Sequence, residues 1–393
     1  MIRTFAAIAG LALAVATPAA AQNANRSVSE VLGFLVTNQS VSTGSVERDQ
    51  AAAQAASDTV SRALLANLAT LPVSSSSGAF AYRLNPELGT VERAAQTFPP
   101  FFVERALTVG RSTASVGFTY QSLRFSTLDG RTLHDGSLVT TANKFVDEPA
   151  PFDVDRLMLD IDADVATVYG NLGLGDRAEI GFALPMVSLR LNGSRVNTYR
   201  GRTFTQASAS ATALGLADAV VRTKFTVFQE GGGAFAAAVD ARLPTGRQAD
   251  LLGAGSVAMR VSGIGSIEGS HASGHANLGF VFGGLAHEVN YGGAITAAAS
   301  PRLTITGELI GRVIDTAGQL ESIVAPHPTL AGVETIRLGA SATKMHMVTV
   351  APGVKWNLTN TWVLVGNVSL PVTKAGLTTA FTPYIGIDYS LER

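Results

Sequence analysis

From about residue 112 to the end of the chain, apolar and polar side chains alternate with a period of two. In residues 112–121 the larger side chains share one face, which is formed by Ala114, Val116, Phe118 and Tyr120. Successive side chains of a β-strand point to opposite faces of the sheet, so this pattern predicts a strand with two different sides.

The second run, over residues 157–165, has one apolar face and one acidic face. The acidic face carries Asp160, Asp162 and Asp164. Three carboxylates in a row are costly against lipid. We therefore expect the apolar face to meet lipid and the three carboxylates to face a wet interior.

Ten similar runs follow, near residues 178–191, 215–228, 233–244, 257–268, 275–283, 289–299, 303–312, 346–358, 361–371 and 380–391. Together the runs make about twelve strands, and an even number is typical of bacterial outer-membrane barrels. The sequence thus predicts an all-β fold: a transmembrane antiparallel β-barrel of about 12 strands, preceded by an N-terminal helical segment.

The links between the runs alternate in length, as expected when short turns lie at one end of a barrel and long loops at the other. The long links fall near 127–155, 192–213, 245–256, 313–343 and 372–379, and the tight ones at 170–176, 229–232, 300–302 and 358–360. The link at 284–288 is the exception, because it is short where a long loop is expected.

The beginning of the chain predicts a different organisation. Residues 1–21 have a basic residue, a short apolar run and a small-residue cleavage site, which together indicate a secretory signal peptide. Residues 22–105 form an N-terminal helical and irregular segment in this interpretation, and residues 106–393 form the barrel. Ser29 is expected to cap a brief helix over residues 31–36.

A second helix is predicted from Glu47 to Thr70, because apolar residues recur there at intervals of three or four. Such a helix is long enough to reach into a barrel and act as a plug. The alternative is a helix packed on the mouth of the barrel or on a partner. We favour the second position, because side chains already partly fill the interior of a barrel of this size.

Composition narrows the classes of function. Only 15% of residues are charged and mean hydropathy is +0.25, which is unusually apolar for an exported soluble protein. The absence of cysteine excludes a disulfide framework and a thiolate metal site. With a net charge of -1 and no long basic tract, the chain is not expected to bind nucleic acid.

If the apolar faces meet lipid, the opposite faces line the interior. The candidates for the lining are Asp160, Asp162, Asp164, Arg222, Lys224, Asp240, Arg242, Arg260, His275, Asn277, Glu308, Arg312, Lys355 and Asp388. Charges of both signs can pair across a narrow barrel and fill it, which is the favoured interpretation, because buried charges are normally paired. The other interpretation is a polar conduit in which the Asp160, Asp162 and Asp164 row selects solutes.

A catalytic function rests on one weak motif. In His271-Ala272-Ser273 a histidine and a serine share one strand face, with Asn277 further along, as in an outer-membrane lipase. This spacing arises often by chance, and a triad is defined by geometry, so the sequence predicts no enzyme. No catalytic residue, no cofactor and no metal site are assigned.

Several segments together resemble an outer-membrane family named for the meta-pathway of phenol degradation. They are Ile180-Gly181-Phe182-Ala183-Leu184-Pro185 with Val187-Ser188, Gly215-Leu216-Ala217-Asp218, Leu243-Pro244-Thr245-Gly246 followed by Leu251-Leu252-Gly253, and His275-Ala276-Asn277-Leu278-Gly279. The resemblance covers roughly residues 110–393. It implies a β-barrel associated with uptake of aromatic or other hydrophobic compounds, and it supplies no catalytic residues.

The expected function is therefore a channel or transporter for small compounds, aromatic or hydrophobic ones among them, in the outer membrane of a Gram-negative bacterium. The alternative is a structural or surface-interaction barrel whose interior is closed by its own charges. The expected partners are outer-membrane lipid, a small-molecule solute and, during biogenesis, the barrel-assembly machinery. The sequence does not predict an oligomeric state.

Overall fold

A computed structural model describes residues 26–37, 40–41, 45–68, 82–85, 90–93, 97–111, 113–359 and 361–391. The signal peptide expected over residues 1–21 lies outside these ranges and stays a prediction. Among the described helices, none combines the length and apolar character that a membrane crossing requires.

Two helices and a small hairpin come first in the chain. They are α1 (Val28–Thr37), α2 (Val46–Leu68), β1 (Tyr82–Asn85) and β2 (Thr90–Arg93). The remaining strands are β3 (Ala114–Leu128), β4 (Arg131–Thr132), β5 (Leu138–Phe145), β6 (Asp153–Gly173), β7 (Ala178–Tyr199), β8 (Arg202–Leu216), β9 (Ala219–Glu230), β10 (Gly233–Leu243), β11 (Ala258–Glu268), β12 (Ala272–Gly283), β13 (Glu288–Ser300), β14 (Leu303–Pro326), β15 (Val333–Asn357), β16 (Trp362–Pro371), β17 (Leu377–Thr379) and β18 (Thr382–Leu391).

Twelve of these strands close into an antiparallel barrel, in the order β3, β6, β7, β9, β10, β11, β12, β13, β14, β15, β16 and β18. The ring closes because β3 pairs with β6 on one side and with β18 on the other. Closure leaves no free edge, so backbone hydrogen bonds are satisfied within the sheet. The predicted fold and strand number are confirmed.

The two ends of the barrel differ. At the turn end, the strands are joined by short links at 174–177, 231–232, 269–271, 301–302 and 358–361. The first barrel strand, β3, begins at this end, and the last one, β18, finishes there. The opposite, loop end carries the long connections. Two of the predicted loops are wrong, because 192–213 and 313–343 mostly continue as paired strands, β7 with β8 and β14 with β15. Ladder hydrogen bonds keep these hairpins extended beyond the ring.

The outer face carries an apolar belt around the turn-end part of the barrel. Its exposed side chains include Phe118 on β3, Val168 on β6 and Phe182 on β7. Towards the loop end the belt stops at one level on three adjacent strands, where Ser122, Asp164 and Ser188 lie side by side in register.

The point at which the apolar belt ends on β6 shows that one prediction is wrong. Asp160, Asp162 and Asp164 do not line the interior, because they lie on the outer face of β6. There Asp164 accepts hydrogen bonds from the Tyr120 hydroxyl, the Ser122 hydroxyl and the exposed Arg190 guanidinium, at 2.9, 2.8 and 3.3 Å.

The physical reason is that β6 extends beyond the belt. Its apolar face, with Leu157, Leu159 and Ile161 at 0–1% exposure, points inward in this part of the barrel. The inner face is apolar here because helices fill the interior, while the outer face has no apolar belt to join. The apolar side chains of β6 therefore face outward within the belt, as Val168 does, and inward beyond it.

The N-terminal helices lie inside the loop end of the barrel. The apolar face of α1, which includes Leu32 and Leu35, and that of α2, which includes Val60 and Leu64, share one core cluster with inward-facing strand residues. Helix α1 contacts β7 and β8, and α2 contacts β14, β15 and β17. The position that the sequence favoured for the second helix, packed on the mouth of the barrel or on a partner, is therefore wrong. An apolar inner surface at the loop end gives the helices a buried position.

Helix α1 begins one turn earlier than its sequence suggested. The Ser27 hydroxyl accepts a hydrogen bond from the Glu30 N–H at 3.2 Å, and the Glu30 carboxylate accepts one from the Ser27 N–H at 2.8 Å. This is a reciprocal capping box, and it makes Ser27 the N-terminal cap instead of Ser29.

Candidate functional site in the barrel interior

Residues 97–111, here called the strap, form a segment without helix or strand that crosses the interior near the turn end, from Thr97 beside Ser273 of β12 to Val109 beside Glu179 of β7. Glu308, on the inner face of β14, accepts hydrogen bonds from three successive strap N–H groups, those of Phe101, Phe102 and Val103, at 2.5, 2.9 and 2.8 Å. Hydrogen bonds to an ionised acceptor are stronger than neutral ones. One barrel carboxylate thus fixes the middle of the strap.

Further contacts fix the rest of the strap. The Arg105 guanidinium donates to the Glu268 carboxylate at 2.7 Å, and the Ala106 N–H donates to the Ser266 hydroxyl at 2.9 Å. The Val109 N–H donates to the Glu179 carboxylate at 2.8 Å. All of these bonds join the strap to side chains of the wall, so the strap can separate from the barrel without breaking any strand pairing.

A ladder of alternating charges covers the inner wall beside the strap. Asp240 on β10 lies between Arg222 on β9 and Arg260 on β11 and forms an ion pair with each. Arg222 also pairs with Glu104 of the strap. Lys224 pairs with Glu179 at 2.8 Å. Charges of both signs therefore neutralise one another across strand boundaries and across the boundary between strap and wall.

On the opposite side of the strap, Lys355 and Asp388 face the interior from β15 and β18. The Lys355 ammonium lies 5.1 Å from the centre of the Phe101 ring, a cation–π geometry. Asp388 accepts a hydrogen bond from the buried Tyr169 hydroxyl.

At the loop end, Asp155 and Arg195 hold the N-terminal segment, and this pair is here called the clamp. Asp155 accepts hydrogen bonds from the Ser40 N–H and hydroxyl at 2.9 and 2.6 Å. Arg195 forms an ion pair with Asp155 at 3.3 Å and donates to the Leu35 carbonyl at 3.1 Å. Both charged side chains are completely buried, so this clamp is shielded from solvent.

Between the strap, the end of α2 and the wall formed by β9 to β14 lies a cavity of about 150 Å³. Its charged and amide lining consists of Glu104, Arg222, Asp240, Arg242, Arg260, Asn277, Glu288, Asn290 and Arg312. We take this cavity as the candidate functional site, because it combines space in the barrel interior with convergent polar groups.

The predicted lining residues divide into two groups. The three aspartates of β6 lie outside, as described. The others have side chains on the inner face: Arg222, Lys224, Asp240, Arg242, Arg260, His275, Asn277, Glu308, Arg312, Lys355 and Asp388. Six of them line the cavity: Arg222, Asp240, Arg242, Arg260, Asn277 and Arg312. Glu308, Lys355 and Asp388 do not line it and face other parts of the interior. That any of them lines a solute path stays a prediction.

The sequence did not single out several residues of the interior. Glu104 and Arg105 belong to the strap, and their adjacent opposite charges in an otherwise apolar stretch were the available signal. Asp155 and Arg195 lie beyond the predicted strand ends, so their inward direction followed only from the true length of β6 and β7.

The histidine and serine of the weak catalytic motif have separate partners. The Ser273 hydroxyl is buried and hydrogen-bonded to the Thr97 hydroxyl at 2.8 Å, and the His271 ring is bonded to the Ser270 hydroxyl at 3.0 Å. Neither hydrogen bond joins His271 to Ser273, so the motif does not form the nucleophile–base pair that the lipase alternative requires.

Comparisons with known proteins add the following. No family model matches the chain, and no curated protein matches it. Among solved structures, it is similar to an outer-membrane channel from Pseudomonas putida F1, with 12% identity over 77% of this chain and 100% of that one, at a TM-score of 0.45. It is also similar to the NanC porin, with 6% identity, 69% and 100% coverage and a TM-score of 0.37.

A third similar structure is the KdgM porin, with 9% identity over 61% of this chain and 98% of that one, at a TM-score of 0.35. At these identities and TM-scores, the similarities assign neither a substrate nor a function to this chain. The resemblance to the phenol-degradation family stays a prediction as well.

Proposed function

We propose that this protein is an outer-membrane channel or transporter for small compounds and that its N-terminal segment closes the channel from inside. The outer apolar belt supports insertion in a bilayer, because lipid-facing side chains of such barrels form a band of this kind. Export through a cleaved signal peptide and assembly by the barrel-assembly machinery belong to the same proposal.

The proposal depends on one observation: the chain's own N-terminal segment occupies the barrel interior. This segment is held by side-chain contacts such as those of Glu308 and Asp155, and it is not one of the barrel strands. Its removal leaves the closed ring of backbone hydrogen bonds intact. A segment of this kind can act as a gate.

The resemblance to the phenol-degradation family supports aromatic or other hydrophobic compounds as the solutes. A second candidate function, a sealed structural or surface-interaction barrel, is favoured by the ion pairs of the inner wall. In that case the pairs that join Asp240 to Arg222 and Arg260 would keep the interior closed even without the N-terminal segment.

Single-channel recordings in planar bilayers distinguish the two. The full mature chain should conduct little, and deletion of residues 23–75, which removes both helices, should raise conductance while the barrel stays folded. A longer deletion, of residues 23–111, also removes the strap and should raise conductance further. Folding is checked by the heat-dependent mobility of the barrel in SDS gels. Folded deletions that conduct no more than the full chain would favour the sealed barrel.

We propose no catalytic activity for this protein. Purified protein should show no esterase or phospholipase turnover above background, and turnover that is lost in Ser273→Ala would contradict this expectation.

A further inference from the structure

Phe101 of the strap places its ring against one part of the inner wall, here called the ring pocket. The wall residues around the ring are Gly353, Lys355, Val363, Val365, Asn367 and Tyr384. At position 353 a Cβ atom would lie 2.5 Å from the Phe101 ring. A glycine within a strand often marks a close approach by another group. Here it lets a ring reach the backbone of β15.

The contacts in the ring pocket favour an aromatic ring. Tyr384 on β18 meets the Phe101 ring edge to face, at a centroid distance of 5.9 Å, and the Phe102 ring at 5.6 Å. The Lys355 ammonium lies 5.1 Å from the centre of the Phe101 ring. Both kinds of contact depend on the charge distribution of a π system. A saturated ring would fill the same space without these interactions.

Asn367 on β16 adds hydrogen-bonding capacity that the strap does not use. Asn367 pairs with Gly353 in register, and both its Cβ atom and the Phe101 ring lie against that glycine. The residue is 6% exposed, and neither its amide nitrogen nor its amide oxygen has a hydrogen-bond partner among the described residues. Because a buried amide without partners costs free energy, the ring pocket favours a ligand that bonds to this group.

The charges near the ring pocket have both signs. The groups that interact electrostatically with Lys355 include the carboxylates of Asp388, Glu308 and Glu104 and the guanidinium of Arg105. Basic groups are therefore not in excess, so an anionic ligand gains no advantage. A cationic ligand would lie beside the Lys355 ammonium, which repels it. An uncharged ligand fits this surrounding best.

We propose that the ring pocket binds an uncharged aromatic alcohol and that this solute opens the strap by taking the place of Phe101. The ring of the solute contacts Tyr384 and Lys355 as the Phe101 ring does, and its hydroxyl group forms hydrogen bonds with the Asn367 amide. Phe101 and the solute cannot occupy the ring pocket together. This proposal rests on the proposed function, because it names the solute that releases the gate and the place where it acts.

Competition of this kind lets the solute control the strap. The Phe101 N–H donates to Glu308, so the ring and its own backbone hold the same part of the strap. A ligand that binds only the released state shifts the equilibrium towards release, by an amount that rises with its concentration. The solute therefore opens a barrier in its own path.

Amide hydrogen exchange of the full mature chain in detergent tests the proposal, because exchange reports local opening. Benzyl alcohol should speed exchange at Phe101, Phe102 and Val103 in a saturable way, by about ten-fold or more. Cyclohexylmethanol, which has the same substituent on a saturated ring, should leave this exchange unchanged. Exchange in the barrel strands should respond to neither alcohol, which controls for effects of the alcohols on the detergent.

Asn367→Leu removes the hydrogen bonds to the hydroxyl group of the solute. The benzyl alcohol concentration needed for half of the effect should rise about five-fold, as expected for the loss of an uncharged hydrogen bond. Thr296→Val on β13 is the matched control. It removes another buried polar group that has no partner among the described residues, and it should leave the response to benzyl alcohol unchanged.

Phe101→Leu tests the competition itself. This variant keeps the strap apolar but removes its ring, so benzyl alcohol should act at a lower concentration than in the parent. If the alcohol only filled the space beside Leu, it would slow exchange in the strap instead of speeding it.

The comparison of the two alcohols uses the unaltered chain and does not depend on whether any variant folds. The proposal is overturned if benzyl alcohol does not speed exchange in the strap, if cyclohexylmethanol acts equally well, or if a folded Asn367→Leu variant responds to benzyl alcohol as the parent does.

Failure of this proposal differs from failure of the proposed function. If deletion of residues 23–111 raises conductance but benzyl alcohol leaves the strap unchanged, the channel function stands and the competition is wrong. If benzyl alcohol speeds exchange in the strap and the folded deletions do not conduct, the ring pocket stands as a binding site in a sealed barrel.

Discussion

Arg195 on the inner wall donates a hydrogen bond of 2.6 Å to the carbonyl oxygen of Val36, in the last turn of α1. The last carbonyl groups of a helix have no partners within it, and cationic side chains are favourable there. A barrel side chain thus supplies the C-terminal contact of a helix that lies inside the barrel. The wall and its plug are stabilised by the same residue.

Arg195→Met should destabilise the protein by about 3–5 kcal/mol, because it leaves the Asp155 carboxylate buried without its guanidinium partner. Urea unfolding in detergent, followed by the fluorescence of Trp356 and Trp362, measures the change. The double variant with Asp155→Leu should recover part of the loss, since no unpaired charge remains. A double variant less stable than Arg195→Met would contradict this account.

Val350→Arg and Thr349→Arg test the assignment of the two faces of β15. Val350 pairs with Leu309 on the outer face, whereas Thr349 pairs with Ile310 on the inner face. Arginine at position 350 should cost about 2–4 kcal/mol if this position lies near the bilayer midplane. Arginine at position 349 should cost less. The folded fraction in lipid vesicles measures both, and equal losses would show that the assignment is incorrect.

Glu308→Gln should loosen the strap. The carboxylate accepts three N–H hydrogen bonds, and an amide offers one acceptor oxygen and places its own N–H groups against the others. Each hydrogen bond to a charged group is worth about 1.5–3 kcal/mol. Faster amide hydrogen exchange at Phe101, Phe102 and Val103 is the expected result.

The control for Glu308→Gln is Glu321→Gln, an exposed position near the loop end of the same strand, which should leave exchange in the strap unchanged. Unaltered exchange in Glu308→Gln itself would mean that the carboxylate does not hold the strap.

Gly117→Ala should destabilise the barrel, because a Cβ atom at this position would overlap the Tyr169 ring and the Asp388 carboxylate. Overpacking of this kind costs typically about 1–3 kcal/mol. Gly366→Ala, at an open position in β16, is the matched control and should be nearly neutral. The unfolding temperatures of both variants provide the comparison. An equal, small effect would place the Tyr169 ring away from Gly117.

The alternation of side chains was sufficient to predict the number of barrel strands, because in-out alternation is a local property of each strand. The runs near 233–244 and 257–268, for example, became β10 and β11 almost residue for residue. The inner position of Asp240 and Arg260 followed from the same alternation, since an ionised side chain among apolar outward neighbours has only the interior to face.

Alternation could not predict that the side chains of Asp160, Asp162 and Asp164 face outward. Alternation says that two faces differ, but not which one meets lipid, water or protein. On β6 the answer changes along the strand, because the belt ends near Asp164 and the helices fill the interior beyond it. The choice depends on residues that lie between 96 and 129 positions earlier in the chain, such as Leu35 and Leu64.

The sequence by itself therefore determined that this chain forms a barrel of twelve strands with short turns at one end, because strand period and turn residues act locally. Only the tertiary structure decided what occupies the interior. The position of α1 and α2 depends on burial of their apolar faces, and apolar burial is not directional, so it is satisfied by any matching surface. The clamp of Asp155 and Arg195 exists only once that burial has brought distant segments together.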